Sequence, residues 1–196
     1  MERHRDRGAV ISRRDGRGDR SVATKALLAI AATAAAGAVH AEASSVTPTG
    51  FLVTHRLPVQ ASPQRVFDAV GRIGRWWNTA HSYSGQGANL TLDLKAGGCF
   101  CERWAGGSVL HAQVVFVDRK EHVVRLLGGL GPLQERAIHG VLVFAASTVE
   151  GRTMLTVTYR VAGPPDAGLQ TTAAPVDEVI GDAARRLVAY VESGQR

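Results

Sequence analysis

Gly97-Gly98-Cys99-Phe100-Cys101-Glu102-Arg103-Trp104 is the stretch whose reading decides the fold. Two glycines end one extended segment and open the next, the signature of a hairpin turn. Alternate residues of a strand face opposite ways, so Cys99, Cys101 and Arg103 share one face and Phe100, Glu102 and Trp104 the other. A carboxylate between two large aromatics is out of place on a solvated face. It fits a semi-enclosed, mostly apolar cavity, with the remainder of the chain as its walls and lid.

Working outward, every neighbouring segment alternates in the same way. Leu90, Leu92 and Leu94 precede the glycines, and 109–117, 122–127, 138–146 and 153–161 follow. Turn signals separate them at Gly106-Gly107, 118–121, 128–132 and Glu150-Gly151. Six consecutive strands with short links predict an antiparallel meander. Upstream, 51–59 alternates as a first strand. Ser62-Pro63 then supplies an N-cap followed by proline at the first helical position. Val66, Phe67, Val70 and Ile73 recur at helical spacing, and 75–78 reads as a second short helical turn. After Gly163-Pro164-Pro165 a long amphipathic helix closes the chain, with Val176, Val179, Ile180, Ala183, Leu187, Tyr190 and Val191 as its apolar stripe and Pro175 in its first turn. The fold class is therefore α+β: a seven-stranded curved antiparallel sheet wrapped around a long C-terminal helix, with two short helices after the first strand. A helix that does not fill the concave face of such a sheet leaves a cavity.

Charge separates the N-terminal part from the rest. Residues 1–41 hold eight Lys/Arg and four Asp/Glu, leaving fifteen and thirteen for the other 155 residues, so most of the net charge of +6 lies in the N-terminal segment. The remainder has no basic stripe, which speaks against nucleic acid as a partner. In residues 1–41 an Arg-rich start precedes the apolar run 26–39, and Val39-His40-Ala41 or Ala41-Glu42-Ala43 fits a small-x-small cleavage site. This pattern is that of an export signal, and predicts a periplasmic or secreted protein. Arg13-Arg14 offers a twin-arginine start, although Asp15-Gly16 stand where that route wants apolar residues. The run of roughly 14 residues is too short to span a bilayer, so no stable membrane insertion is expected once the signal is removed. A disordered tail with an Ala-rich helix is the alternative. Residues 42–50 read as a linker and 51–196 as the domain.

Cys99 and Cys101 stand at i and i+2 of one strand, where Cα atoms about 6.5–7 Å apart lie at the edge of disulfide reach; free thiols are expected. A zinc site is unsupported because no second Cys/His pair stands at ligand spacing, and no cofactor is expected. Glu102 in an apolar pocket would have a raised pKa and serve as acid or base, or else it pairs with an arginine or caps backbone at the cavity rim. His111, on the next strand with Gln113, Val115 and Val117, falls near Glu102 or Trp104, either as a proton shuttle or as a hydrogen-bonded floor. His81 and Tyr83 lie in a loop at the cavity mouth. Of Trp76 and Trp77, one packs in the core and the other borders the ligand. The segment 128–134 is glycine-rich but lacks the lysine of a phosphate loop; it reads as a wide rim hairpin with Leu130 and Leu133 as apolar gates and Gln134 as one of the few polar groups.

Pro63 to Phe67, Trp76-Trp77, Gly97-Gly98-Cys99-Phe100-Cys101-Glu102, His111, Gly131-Pro132-Leu133-Gln134 and the closing helix with Asp177 and Leu187 come in an order that resembles the START-like or SRPBCC superfamily, the helix-grip fold. Within it, the chain is similar to the branch shared by activators of the heat-shock chaperone ATPase and polyketide cyclase-like proteins. The resemblance covers about residues 51–192. The element order, with a cavity face mixing Phe100, Trp104 and leucines with few polar groups, predicts a small hydrophobic or aromatic ligand held between sheet and helix by Trp76, Trp77, His81, Tyr83, Phe100, Glu102, Trp104, His111, Leu130, Leu133 and Gln134. A cyclase, dehydratase or hydrolase using Glu102 with His111 or His81 is the alternative, and a protein-interaction module a weaker one, since the export signal separates this chain from the cytosolic partner of the co-chaperones. A shared fold does not choose between them.

Overall fold

The computed structural model describes residues 43–195; the segment read as an export signal lies outside them. Eight strands form one antiparallel sheet: β1 (Ser44–Thr47), β2 (Gly50–Val59), β3 (Leu90–Leu92), β4 (Cys99–Trp104), β5 (Gly107–Asp118), β6 (Val123–Leu127), β7 (His139–Val149) and β8 (Arg152–Ala162). Their order is β1-β2-β8-β7-β6-β5-β4-β3. The strands from β3 to β8 make the expected meander, and β2 adds to the outer side of β8, with Phe51 opposite Val161 and Val59 opposite Thr153. The sheet has eight strands rather than seven because Ser44–Thr47, in the stretch read as a linker, pairs with the start of β2. All four of its residues are exposed. Such an edge strand is held by backbone hydrogen bonds and leaves no alternation in the sequence.

Three helices complete the element order. In α1 (Pro63–Val70), the Ser62 hydroxyl accepts the Arg65 N–H at 3.3 Å, and Pro63 opens the first turn. The short α2 (Ile73–Trp76) starts two residues earlier than the sequence suggests. Gly74 lies inside it: a Cβ there would stand 2.5 Å from the Gly87 carbonyl oxygen, so glycine is what lets the two backbones cross. The closing helix α3 (Leu169–Glu192) begins well before the apolar stripe, and Pro175 sits inside it, not in its first turn. Proline removes one backbone donor and crowds the preceding turn. The first turns of α3 carry Thr171 and Thr172, whose hydroxyls donate to the Gly168 carbonyl at 3.0 and 2.8 Å.

Alternate side chains of β2 and β8 pack on the apolar face of α3, with Val53, Leu155, Val157 and Leu187 fully buried. Each such side chain contributes about 1.5–3 kcal/mol through the area it removes from water. Polar contacts fix the helix on the sheet. The His55 Nε2 on β2 lies 3.0 Å from Asp177 Oδ1 on α3, and a Cβ at Gly181 would stand 2.6 Å from the His55 ring. Asn78 donates to Asp182 at 2.9 Å, tying the loop after α2 to the same helix.

The middle hairpins depart from simple alternation. Phe100 pairs with Ala112 and Cys101 with Leu110, which leaves His111 as an extra residue, a β-bulge on β5. His111, Ala112 and Val114 are buried while Gln113 and Val115 are exposed, so the expected shared face of His111, Gln113 and Val115 does not exist. The same irregularity sits beside Cys99 and Cys101. Their Cα atoms are 5.3 Å apart, closer than a regular strand allows, and the two are disulfide-bonded rather than free.

Candidate functional site

A cavity of about 610 Å³ opens between the sheet, the N-terminal part of α3 and two loops. This volume lies within the usual range of small-molecule sites. Its floor is aromatic. Trp77 meets Phe100 edge-on with ring centroids 5.4 Å apart, and Phe100 lies 4.8 Å from the His111 ring; Tyr83, half exposed in the mouth loop, lies 5.9 Å from the same ring. Val176, Val179 and Ile180 of α3 form the facing wall, and Leu130 and Leu133 the rim.

Each wall is held by identifiable bonds. The Trp77 indole N–H donates to the His81 carbonyl at 3.0 Å, which fixes both the ring and the mouth loop. Trp76 is buried in the core instead; its indole donates to Ala69 O at 2.9 Å and its ring packs on Phe144. The rim segment is a 3-10 turn, Gly131–Arg136, ended by Ala137 in the left-handed region at φ 52°. Tyr159 anchors its approach: the hydroxyl donates to Gly128 O at 2.9 Å and accepts the Leu130 N–H at 3.1 Å. Burial pushes the Tyr159 hydroxyl up to about 12, so it stays protonated. A Cβ at Gly140 would stand 2.3 Å from the Tyr159 ring, which is why β7 has no side chain there.

Behind the floor lies the one buried acid–base pair among the described residues that borders the cavity. Glu102 is fully buried, and His111 is 4 % exposed. The carboxylate accepts backbone N–H groups from Tyr83, at 3.0 Å, and Ser84, and the His111 Nε2 lies 3.1 Å from its Oε2. Burial by itself would raise the Glu102 pKa, but the hydrogen bonds from Ser84, Tyr83 and His111 outweigh it and hold the carboxyl below its ordinary value. The expectation of a raised pKa is therefore corrected. Burial lowers the His111 pKa, and the Glu102 charge only partly offsets it. At neutral pH Glu102 is ionised and His111 neutral. A carboxylate only accepts, so Nε2 carries the proton and Nδ1 is left as an acceptor.

The structure brings Trp77, His81, Tyr83, Phe100, His111, Leu130 and Leu133 to the cavity wall. Glu102 stands one layer behind, reaching the cavity through His111. Trp76, Trp104 and Gln134 do not line it. Trp104 closes β4 at the hairpin tip and folds back over Gly107. Gln134 points out of the rim turn and donates to Leu110 O at 2.6 Å. Arg136, Thr171, Thr172 and Pro175 line the cavity but carry no strand or helix periodicity that would have singled them out. Among the described residues no three His, Cys, Asp or Glu side chains cluster as a metal site, and no helix is long and apolar enough to cross a membrane.

A curved antiparallel sheet gripping a long C-terminal helix, with a cavity between them, defines the helix-grip fold. Solved structures share it at low sequence identity. CalU16 from Micromonospora echinospora is 13% identical, covers 81% of this chain and 87% of its own, and superposes with a TM-score of 0.53. Ara h 8.0201 is 12% identical over 72% of this chain and 97% of its own, with a TM-score of 0.51. A norcoclaurine synthase point mutant from Thalictrum flavum, in complex with a transition-state analogue, is 12% identical over 80% and 98%, with a TM-score of 0.50. No sequence-family description matches the chain, and no curated protein matches it.

Proposed function

We propose that this chain is an exported helix-grip protein that binds a small hydrophobic or aromatic molecule in the cavity between sheet and α3. The observation that carries the reading is the cavity: about 610 Å³, with an aromatic floor of Trp77 and Phe100, Tyr83 at the mouth and an aliphatic wall from α3. Apolar surface left unfilled by side chains is a stabilisation forgone, which a guest of the right shape restores. Incubating the protein with lipid and aromatic extracts and recording its native mass spectrum tests this. A bound species of defined mass in one-to-one ratio is expected; a protein that captures nothing from any extract overturns it.

The export reading rests on residues 1–41 alone. It predicts that protein recovered from the periplasm or medium begins at or near Glu42 or Ser44, as N-terminal sequencing would reveal; full-length protein confined to the cytosol contradicts it. The motifs around Trp76-Trp77 and Gly97-Gly98-Cys99-Phe100-Cys101-Glu102 support placement nearest polyketide cyclase-like and chaperone-ATPase-activator-like proteins.

One observation favours a second reading, an acid–base enzyme. His111 is neutral, touches the cavity, and is oriented from behind by an ionised carboxylate at 3.1 Å. Such a pair suits proton abstraction at Nδ1, with the imidazolium stabilised by Glu102. His81 at the mouth has no comparable partner among the described residues. Comparing the molecule recovered from the wild type with that from His111→Gln separates the two readings. Binding alone gives the same molecule from both; turnover gives a chemically different precursor from the variant, told apart by mass or, for an isomer, by chromatography.

A further inference from the structure

The charge of the cavity points beyond an apolar guest. No Asp or Glu lines it, and His111 is neutral. Arg136 is its one permanently charged lining residue. It ends the 3-10 turn of the rim, where the left-handed Ala137 redirects the chain, and it is exposed at the mouth. A guanidinium carries five N–H donors. Among the described residues one bond is made, from Nη1 to the Thr172 hydroxyl at 3.0 Å. That hydroxyl already gives its own proton to Gly168 O. No carboxylate of the described residues lies within ion-pair distance of Arg136; on α3, Asp182 pairs with Arg186, and Asp177 stands beside His55 with its buried Oδ1 lacking a hydrogen bond.

We propose that Arg136 is an anchor for the carboxylate of an amphipathic guest, an acid whose apolar body occupies the cavity and whose head group sits at the mouth. The proposal rests on the cavity-binding reading and narrows it to a chemical class. A planar carboxylate matches the guanidinium fork with two parallel hydrogen bonds. One cation balances one negative charge; no second Arg or Lys lines the cavity to balance a phosphate dianion. The bond to Thr172 holds the fork against α3, so little side-chain freedom is lost on binding.

The test measures affinities of the full chain for two pairs of probes at neutral pH: decanoic acid with decan-1-ol, and 2-naphthylacetic acid with its primary amide. Isothermal calorimetry is run on the wild type, Arg136→Gln and Arg136→Lys. The wild type is expected to prefer each acid over its neutral partner by about tenfold or more, as a charge-assisted pair implies. Arg136→Gln is expected to bring the acid down to the level of the neutral partner, Arg136→Lys to retain part of the preference, and added salt to shrink it. Equal binding of acid and neutral partner by the wild type overturns the anchor and leaves the cavity reading standing. An equal loss of both partners in Arg136→Gln also overturns it, since Arg136 then only shapes the rim. Failure of all four probes to bind any variant overturns the anchor and the cavity reading together.

Discussion

At the scale of single residues, the Glu102–His111 pair makes this protein sensitive to acid. His111 is held below its ordinary value of 6.5 in the folded chain. The unfolded chain therefore takes up its proton first, and folding stability falls as the pH drops below about 6.5. Glu102 is held below 4.5. The stability it contributes is present above that value and is lost as pH falls through its folded pKa. Asp182, also held low by Arg186 and Asn78 against the effect of its burial, adds to this second window. We expect thermal melts recorded from pH 8 to pH 3 to decline in two stages, with His111→Gln removing the upper stage alone; an unchanged upper stage in that variant contradicts the assignment. Tyr159 is the second residue with a definite consequence. Tyr159→Phe leaves the Gly128 carbonyl and the Leu130 N–H without their partner, which costs about 1–3 kcal/mol. Because both belong to the approach to the rim, hydrogen exchange at Leu130 should accelerate more than in the core of β8; a uniform change would contradict a local role.

At the scale of elements, the position of α3 on the sheet depends on a missing side chain. Glycine inside a helix is ordinarily about 1 kcal/mol worse than alanine. Gly181→Ala should nevertheless destabilise, by about 1–3 kcal/mol, since the methyl group would enter the His55 ring, itself buried and paired with Asp177. Urea denaturation decides it, and a stabilised Gly181→Ala variant would show that helix and sheet shift apart easily. The bulge at His111 is the other decisive element. It turns two consecutive residues of β5 inward, which aims His111 at Glu102 and the cavity. Simple alternation has no way to express such an insertion. That is why His111 and Glu102 were legible as neighbours while the faces of Gln113 and Val115 were not. The disulfide was missed for the same local reason: regular strand spacing sets Cys99 and Cys101 too far apart, and the strand is not regular there.

At the scale of the whole molecule, the order of strands and helices was legible because burial on one face writes a period of two or 3.6 into the residues. Phe100, Trp77, Leu130 and Leu133 could be placed near a cavity from that order. What the pattern could not carry were features without periodicity: the exposed β1, the early turns of α3, and Arg136, Thr171 and Thr172 at the mouth. A cavity is a property of how sheet and helix miss each other, so its lining follows from three-dimensional placement and only partly from alternation.

The central claim is that the space between sheet and α3 receives a guest. Val179, on the cavity side of α3, is the place to close it. Titration of the full chain with 8-anilinonaphthalene-1-sulfonate, followed by fluorescence, should give saturable one-site binding in the wild type. It should give none in Val179→Trp at an unchanged melting temperature. Equal binding by the folded variant, or no saturable binding by the wild type, would contradict the account.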